Sequence, residues 1–317
     1  RASRMNYIST LDMSREDWVA IRQASIGTSD FASALGYSPW KTPYELWEEK
    51  MNGAKDIHSF RFQQGHLYEK VVRHWFTEKT GLKVVRDKKI RIHKDYDYLT
   101  TNLDGIVRRD DGVKSAIEIK TVDPMIYRHW EDRIPLYYQI QAQGQMAITG
   151  FDSVFFAIQI GFHDYKIEEV KFDREWWGIV KPKLVDFWES YVIEKTPPPP
   201  INSDDVAKLF PKSNGDIQII DSEGEIQWFV KDLITLKEKI KTLQEEQKNI
   251  EFSIKKFIGD SDGIRDIDNQ WTVSYKTGKP RKSFDKKGFG ADHPDLLEKY
   301  TKDGNGFRSF RVTEVKK

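Results

Sequence analysis

The sequence predicts an α/β protein in which helices flank a mixed β-sheet, followed by a C-terminal region with one long helix and a small β region. Two observations predict the sheet: the nearly continuous apolar run at 154–160 is typical of a buried central strand, and residues 116–120 alternate between two faces. A third predicts the helices, because apolar residues recur at helical spacing in 61–80 and 136–149. We therefore expect helices packed on the sheet.

Composition bounds the class of protein. The chain has 317 residues, enough for two domains, and 13% of them are aromatic, which is typical of a folded protein. It has no cysteine, which excludes disulfides, cysteine-ligated zinc and iron–sulfur clusters. The lack of cysteine also fits a reducing cytoplasm, where we expect the protein to lie, and since no apolar run is long enough to span a membrane we expect no membrane partner. With a net charge of +1, any nucleic-acid binding has to come from local patches.

The N-terminal part predicts three short helices with capping residues before them. The first starts at Arg15 and directs Trp18 inward. Either Ser29 or Asp30 is expected to cap the second, and Pro43 stands at the first position of the third.

The middle of the chain predicts the sheet and its longer helices. Helix 61–80 is expected to present five apolar residues to the core: Leu67, Val71, Val72, Trp75 and Phe76. Helices are also predicted at 136–149 and at 173–194, where Pro182 would bend the second. The expected strands are 82–86, 89–93, 98–101, 104–108, 115–121, 154–160 and 166–172.

A polyproline stretch predicts the main domain boundary. We expect a first domain at 1–196, a proline-rich linker at 197–202 and an accessory region at 203–317. The accessory region has a heptad pattern between 226 and 257, with Ile226, Leu233, Ile240, Gln247 and Ile254 at position a and Phe229, Leu236, Leu243, Ile250 and Phe257 at position d. This predicts one helix of roughly 48 Å whose apolar seam packs on the same chain, on another subunit or on another protein.

The end of the chain carries a strand signal and a basic segment. Residues 271–275 alternate as a strand does, and residues 276–287 contain six basic residues and one acidic residue, with Phe284 among them. The basic segment is either a surface that contacts phosphates or a solvated loop.

Two carboxylates and a lysine are expected to converge on neighbouring strands. Residues 103–107 and 116–120 are typical of a hairpin joined by turn residues. Asp104 would lie near the start of one strand, while Glu118 and Lys120 share a face of the other. Carboxylate oxygens suit Mg²⁺ or Mn²⁺, and the lysine can orient or deprotonate a water. The same residue types also occur in turns and on solvated strand faces.

Five motifs follow one another in the order of the PD-(D/E)xK nucleases. They are an opening stretch with Arg22, Ile26-Gly27-Thr28-Ser29-Asp30 and Leu35-Gly36-Tyr37-Ser38-Pro39-Trp40-Lys41-Thr42-Pro43-Tyr44-Glu45-Leu46-Trp47, then Gly65-His66-Leu67-Tyr68-Glu69, Asp104-Gly105, Glu118-Ile119-Lys120 and Gln139-Ile140-Gln141. Over residues 14 to about 195 the chain resembles the YqaJ-type viral recombinases, relatives of phage lambda exonuclease. Leu103 stands where the family has proline.

The resemblance implies a restriction-endonuclease-like fold and a 5′→3′ exonuclease that digests linear double-stranded DNA. Such an enzyme leaves 3′ single strands for a single-strand annealing protein, in a phage or prophage context inside a bacterial host. The relatives' ring-shaped trimers imply a homo-oligomer.

The resemblance also implies roles for single residues. Asp104, Glu118 and the carbonyl of Ile119 would ligate Mg²⁺, for which Mn²⁺ would substitute. Lys120 would position the attacking water, and Glu69 would act through water or on a second metal.

Further positions follow from the same comparison. Gln139 would hold the site or the scissile strand. Arg22 and Ser29 match a pair that binds the 5′-phosphate, with Asn102 as a further candidate. Arg22 offers a bidentate fork, and Ser29 precedes a predicted helix N-terminus that attracts an anion.

Two other functions stay open. One is a structure-specific or restriction-like endonuclease on the same fold, which would cut a closed plasmid. The other is a non-catalytic DNA-binding or assembly protein that uses the long helix as an interaction arm. The complete set of Asp104, Glu118 and Lys120 argues against the second.

Overall fold

The structure is a computed structural model that describes residues 7–53, 60–131, 133–221, 223–304 and 306–312. The chain divides into two compact units, Arg1–Leu209 and Phe210–Lys317. In chain order the elements are β1 (Tyr7–Ser9), α1 (Arg15–Gln23), β2 (Ile26–Gly27), a 3-10 turn (Thr28–Asp30), α2 (Phe31–Ala34), α3 (Pro43–Asn52), α4 (Phe60–Thr80), β3 (Lys83–Val85), β4 (Lys89–Ile92), β5 (Leu99–Thr101), β6 (Gly105–Arg108), β7 (Lys114–Val122), α5 (Pro124–Arg128), α6 (Leu136–Thr149), β8 (Ser153–Ile160), β9 (Asp164–Lys171), α7 (Arg174–Asp186), a π-helical continuation (Phe187–Ile193), α8 (Ser203–Leu209), α9 (Glu225–Ile258), β10 (Gly263–Arg265), β11 (Thr272–Ser274), α10 (Lys286–Asp292) and α11 (Pro294–Tyr300).

The main sheet of the first unit is mixed, as predicted. Its strand order is β3-β6-β7-β8-β9, with β7 and β8 parallel and the other neighbours antiparallel. Every residue of β8 is buried, because the strand lies inside the sheet and both of its faces are covered. Val72 and Phe76 of α4 are among the core residues of one layer, and Ala142 and Met146 of α6 are among those of another.

A second sheet was not foreseen. The strands β4 and β5 were expected beside the main sheet, but they form a separate sheet with β1 and β2 in the order β1-β4-β5-β2. The two short strands at its edges give almost no sequence signal, since β2 is only Ile26–Gly27. This sheet ties the N-terminal motif to the strand that precedes Asp104.

Helix α4 faces the core with a narrower stripe than predicted. Val72 and Phe76 are fully buried, whereas Leu67, Val71 and Trp75 are exposed. The buried pair is separated by four residues and forms one row on the helix, while the other three occupy the adjacent row. The ring of Trp75 still packs edge-on against Tyr165.

In the N-terminal part the first and third helices are capped as predicted, whereas the predicted cap of the second helix and the predicted burial of Trp18 are not observed. Ser14 caps α1, and Thr42 forms a capping box with Glu45 at the start of α3. Trp18 is not directed inward: it is 39% exposed, and the guanidinium of Arg22 lies over its ring. The second short helix begins without a side-chain cap from Asp30.

One glycine sets the distance between α6 and the N-terminal motif. A Cβ atom on Gly144 would lie 2.5 Å from Cε2 of Phe31 and 2.9 Å from Cγ2 of Thr28. No other residue type fits there unless the ring or the helix moves. The backbone of α6 therefore packs directly against the 3-10 turn and α2.

The first unit extends past the polyproline stretch to Leu209. Asp205 of α8 is fully buried and accepts hydrogen bonds from the hydroxyl of Thr42 and the backbone N–H of Ile201. Lys208 of the same helix pairs with Glu45. Residues 203–209, which the sequence placed in the accessory region, thus pack on α3. The domain boundaries stay a prediction.

The second unit contains the predicted long helix and the predicted strand. Helix α9 runs from Glu225 to Ile258 without interruption, and β11 pairs with β10 in an antiparallel hairpin. Most seam residues of α9 are exposed in the described chain, for example Leu236 and Leu243 at 53% and 61%. No helix in the described ranges has the length and apolar composition needed to cross a membrane.

Candidate active site

The predicted hairpin forms and brings the two acids together. β6 and β7 are antiparallel, with Gly105 opposite Ile117, so Asp104 stands just before the strand and next to Glu118 and Ile119. The carboxylate of Asp104 accepts a hydrogen bond of 2.8 Å from the backbone N–H of Ile119. This bond fixes one oxygen of Asp104 against β7.

Three donors hold the carboxylate of Glu118, which is only 4% exposed. Its Oε1 accepts from Nζ of Lys120 at 2.6 Å and from Nε2 of Gln141 at 2.7 Å. Its Oε2 accepts from Nε2 of Gln145 at 2.6 Å. Lys120 also donates to Oε1 of Gln141 at 3.2 Å and lies 4.2 Å from the ring centre of Tyr138. Strand β7 and helix α6 thus fix Glu118 from two sides.

Glu118 repels one charged neighbour, the carboxylate of Asp104, and attracts the other, the ammonium group of Lys120. Burial, and then the negative charge of Glu118, raise the pKa of Asp104 well above its ordinary value. Burial alone would lower the pKa of Lys120, but the acidic groups around it, Glu118 foremost, together outweigh burial and the net pKa is raised. Lys120 is therefore a cation at neutral pH, and without a bound cation the raised pKa of Asp104 favours its protonated form.

Glu69 reaches the edge of this site from α4. Its charge also raises the pKa of Asp104, and its Oε2 pairs with Arg73 at 3.3 Å. Arg73 in turn donates to the backbone carbonyl of Asp104 at 3.1 Å. The sequence reading did not include Arg73, which connects Glu69 to the strand that carries Asp104.

The donor set fits a hard divalent cation. Asp104 and Glu118 supply acidic oxygens whose mutual repulsion a cation would relieve, and Mg²⁺ needs only one or two carboxylates because it retains several waters. Among the described residues, no three His, Cys, Asp or Glu side chains lie close enough to enclose an ion. Asp104, Glu118 and the carbonyl of Ile119 are the residues that would hold it, with Glu69 at the periphery.

Gln139 does not contact the carboxylates of the site, so of its two expected roles only the one at the scissile strand stays a prediction. Its side chain is exposed and donates to the backbone carbonyl of Ile134 at 2.6 Å. Gln141 and Gln145 take the place expected for it. They are separated by four residues and therefore lie on one face of α6, whereas Gln139 lies on a different face. Gln145 is also unusual because its buried Oε1 has no hydrogen-bond partner.

The predicted phosphate-binding pair is brought together at a second location of the same unit. Nη2 of Arg22 donates to Oγ of Ser29 at 3.3 Å and to the carboxylate of Asp30 at 2.8 Å. Ser29 is exposed, and the side chain of Arg22 is 31% exposed. A ligand at this surface can therefore meet both side chains.

Asp30 is surrounded by cations. Arg22, Lys50 and Lys41 lie 2.8, 3.6 and 3.7 Å from its carboxylate. Burial raises its pKa, but these three charges outweigh burial and hold the pKa below its ordinary value. Asp30 thus anchors the cations instead of capping α2, and the cluster keeps an excess of positive charge.

Asn102 is not joined to this pair. Its Nδ2 donates to the backbone carbonyl of Lys89 at 3.4 Å. The preceding residue, Thr101, does reach the N-terminal motif, since its hydroxyl hydrogen-bonds with that of Thr28 at 2.8 Å. Proximity in the fold is therefore present, but the side chain is directed to another partner.

A mixed sheet flanked by helices, with an aspartate before one strand and a Glu-x-Lys on the next, defines the PD-(D/E)xK class of domains. Residues 17–152 match the family described as the YqaJ-like viral recombinase domain. This match confirms the resemblance found in the motifs over that part of the chain.

Curated relatives agree with this assignment. The chain is 29% identical over 315 residues to the uncharacterized protein YqaJ of Bacillus subtilis, and the match covers 96% of both chains. It is 30% identical over 132 residues to protein D345L of African swine fever virus, a match that covers 39% of this chain and 37% of the viral protein.

Two solved exonuclease structures are similar to this chain at low sequence identity. An alkaline exonuclease from Laribacter hongkongensis is 22% identical, with a TM-score of 0.47, covering 62% of this chain and 100% of that one. A phage-related exonuclease from Haemophilus somnus is 12% identical, with a TM-score of 0.40, covering 54% and 96%.

Proposed function

We propose that the protein is a metal-dependent exonuclease that digests linear double-stranded DNA from the 5′ end and leaves 3′ single strands. The observation that carries the proposal is the convergence of Asp104, Glu118 and Lys120, in which the backbone of β7 fixes Asp104 and helix α6 fixes the buried Glu118. Burial and the negative charge of Glu118 raise the pKa of Asp104, and acids perturbed by burial together with a specific charged partner are concentrated at functional sites.

The residues of the site have complementary tasks in phosphodiester hydrolysis. Mg²⁺, when bound, supplies charge neutralisation for the phosphate and activation of water, and Mn²⁺ is expected to substitute. Asp104 and Glu118 would hold the ion through their carboxylates, and Gln141 and Gln145 restrict rotation of Glu118. Lys120 is a cation that donates a hydrogen bond, so it can orient the attacking water and stabilise negative charge on the phosphate.

Arg22 and Ser29 are proposed to recognise the DNA end. A 5′-phosphate carries two negative charges and is absent from continuous duplex, so a pocket for it selects ends. Arg22 can contribute a charge-assisted hydrogen bond of about 1.5–3 kcal/mol, and Ser29 offers a hydroxyl beside it. The excess of cations around Asp30 attracts the anion to this surface.

The fate of the products completes the proposal. The 3′ single strands would be taken up by a single-strand annealing protein in the cytoplasm of a bacterial host. A closed ring of subunits around the DNA, which the family resemblance implies as a trimer, would keep the enzyme on its substrate.

The nuclease proposal is tested with Mg²⁺ and two plasmid forms. The wild type should release nucleotides from linear duplex and leave the covalently closed form intact, and Lys120→Ala should slow release about 100-fold. Cutting of the closed plasmid would indicate an endonuclease instead. If the protein bound DNA but released no nucleotides with Mg²⁺ or Mn²⁺, the result would favour the non-catalytic function.

End recognition is tested with two linear duplexes that differ only in the 5′ group. Arg22→Ala should slow digestion of the phosphorylated duplex roughly 10- to 100-fold and change the hydroxyl-ended one little. Lys41→Ala measures the share of the surrounding cation cluster: because Lys41 pairs with Glu49 at 2.6 Å and lies 3.7 Å from Asp30, it should slow digestion of the phosphorylated duplex less than Arg22→Ala does. Equal slowing of both substrates by Arg22→Ala would show that Arg22 serves the fold or general DNA binding.

A further inference from the structure

The second unit contains a strongly basic segment that the proposed active site does not use. We define the basic strip as residues 276–287, which follow the β10–β11 hairpin and lead into α10. It holds six basic residues and one acidic residue in a chain whose net charge is only +1. All of its residues are exposed.

Among the described residues, the cations of the basic strip have almost no acidic partner. Lys276 lies 4.0 Å from Asp262, which is the limit of an ion pair. In the described ranges, no carboxylate lies within ion-pair distance of the other five basic residues, Lys279, Arg281, Lys282, Lys286 and Lys287. The one acid, Asp285, caps α10 by accepting from the N–H groups of Lys287 and Gly288. The strip therefore presents a field of unneutralised positive charge.

Aromatic side chains stand within and beside the strip. Tyr275 precedes it and is 51% exposed, and Phe284 lies inside it and is 70% exposed. Phe284 rests on Phe289 of α10 with ring centres 5.1 Å apart, so one side of its ring is supported and the rest faces solvent. Supported, exposed rings among cations are the combination that binds unpaired bases and their phosphates.

The irregular backbone of the strip argues against a membrane surface as its partner. Residues 275–285 form neither helix nor strand, and Gly278 and Pro280 disfavour a helix. A basic helix that lies on a membrane needs its charges on one face and apolar residues on the other, and this segment has no such faces. An irregular basic segment can follow a flexible polyanion instead.

We propose that the basic strip is a second nucleic-acid-binding surface, specific for single-stranded DNA or RNA backbone and assisted by stacking on Tyr275 and Phe284. It contacts phosphates with Lys279, Arg281 and Lys282 and does not depend on base sequence. The proposal does not depend on the nuclease site, because the strip belongs to the other compact unit.

The test measures binding without cleavage. Full-length protein binds a fluorescently labelled oligothymidylate in EDTA, and the affinity is followed by anisotropy at several salt concentrations. In the triple variant Lys279→Ser, Arg281→Ser and Lys282→Ser, the slope of log affinity against log salt should fall by about 2, from roughly 0.7 per phosphate contact. At about 0.1 M salt this corresponds to an affinity loss of roughly 100-fold.

A matched variant controls for the change in total charge. Lys231→Ser, Lys241→Ser and Lys248→Ser remove three exposed lysines of α9 that lie away from its apolar seam. This variant should retain the wild-type slope, and circular dichroism should show that both variants are folded. Equal slopes in the two triple variants, or an unchanged slope in the strip variant, would overturn the proposal.

Stacking is tested separately. Tyr275→Leu with Phe284→Leu should weaken oligothymidylate binding roughly 5- to 150-fold per lost base contact while the salt slope stays constant. If the strip variant lost binding to polyglutamate but kept binding to oligothymidylate, the partner would be an acidic protein segment and the proposal would be wrong. Loss of nuclease activity in Lys120→Ala leaves all these measurements unchanged, so the two proposals fail independently.

Discussion

Replacement of Gln145 by leucine should separate the stability of the fold from the affinity of the site for metal. In the wild type, Nε2 of Gln145 donates to Oε2 of Glu118 at 2.6 Å, while its own Oε1 is buried without a partner. A hydrogen bond to a charged group stabilises by about 1.5–3 kcal/mol, and an unsatisfied buried oxygen costs about 1–3 kcal/mol. Gln145→Leu removes both and also leaves Oε2 of the buried Glu118 without its donor, so the free energy of unfolding should fall by about 1–3 kcal/mol.

The loss of metal affinity has a different cause from this loss of stability. Without Gln145, Glu118 is held only through Oε1, by Lys120 and Gln141. Its second oxygen can then rotate away from the position of the ion. Loss of a group that orients a metal ligand typically weakens metal binding by about 10- to 100-fold. We expect that loss in calorimetric titration with Mn²⁺, and a matching rise in the Mg²⁺ concentration needed for half-maximal cleavage.

Gln143→Leu is the matched control on the same helix. Gln143 donates to the carbonyl of Lys171 and accepts from the N–H of Asp173, both at 2.8 Å, and does not contact Glu118. This variant leaves two backbone groups unpaired, so it should lose about 2–4 kcal/mol of stability and keep its metal affinity. A Gln145→Leu protein with the metal affinity of the wild type would refute the argument that α6 orients Glu118.

Three further outcomes are expected. Asp104→Asn should stabilise the metal-free protein at pH 8 more than at pH 4 in urea unfolding. Because the pKa of Asp104 is raised in the folded state, the stability of the wild type falls as the pH rises above the unfolded pKa of about 3.9. An equal gain in stability at both pH values would contradict this explanation. Asp30→Asn should cost about 3 kcal/mol at pH 7, and this difference should shrink as the pH falls from about 4 through the lowered folded pKa; a difference that stays constant from about pH 4 to pH 2 would show that the charge is not responsible. Leu236→Asp with Leu243→Asp should leave the circular dichroism unchanged and reduce the mass in light scattering to that of a monomer, whereas a double variant with the wild-type mass would show that the seam of α9 does not join subunits.

Much of the core could be predicted because its signals are local. Residue alternation placed Glu118 and Lys120 on one face of β7, and the apolar run identified β8 as a buried strand. The fold class and the family were confirmed. Each of these features depends on residues within a few positions of one another, where the periods of strand and helix govern the pattern.

The errors arose where the answer depends on distant parts of the chain. Gln139 was chosen from a motif, but only the orientation of α6 against β7 decides that Gln141 and Gln145 face Glu118. Four glutamines at alternate positions between 139 and 145 were the available signal, since helical geometry puts them on several faces. In the same way, Leu67 was assigned to the core because the width of the contact between α4 and the sheet is not encoded in the helix alone.

The contact of Gly144 with the ring of Phe31 lies between the proposed phosphate-binding turn and the proposed catalytic site. On one side of this contact stands the turn that carries Ser29, and on the other the helix that steadies Glu118. An enzyme that shortens a polymer by equal steps needs a constant separation between the place that grips the terminus and the place that cuts. Here the close approach of α6 to the turn depends on the absence of a side chain at 144, so any side chain there would move the turn of Ser29 and the helix that holds Glu118 apart.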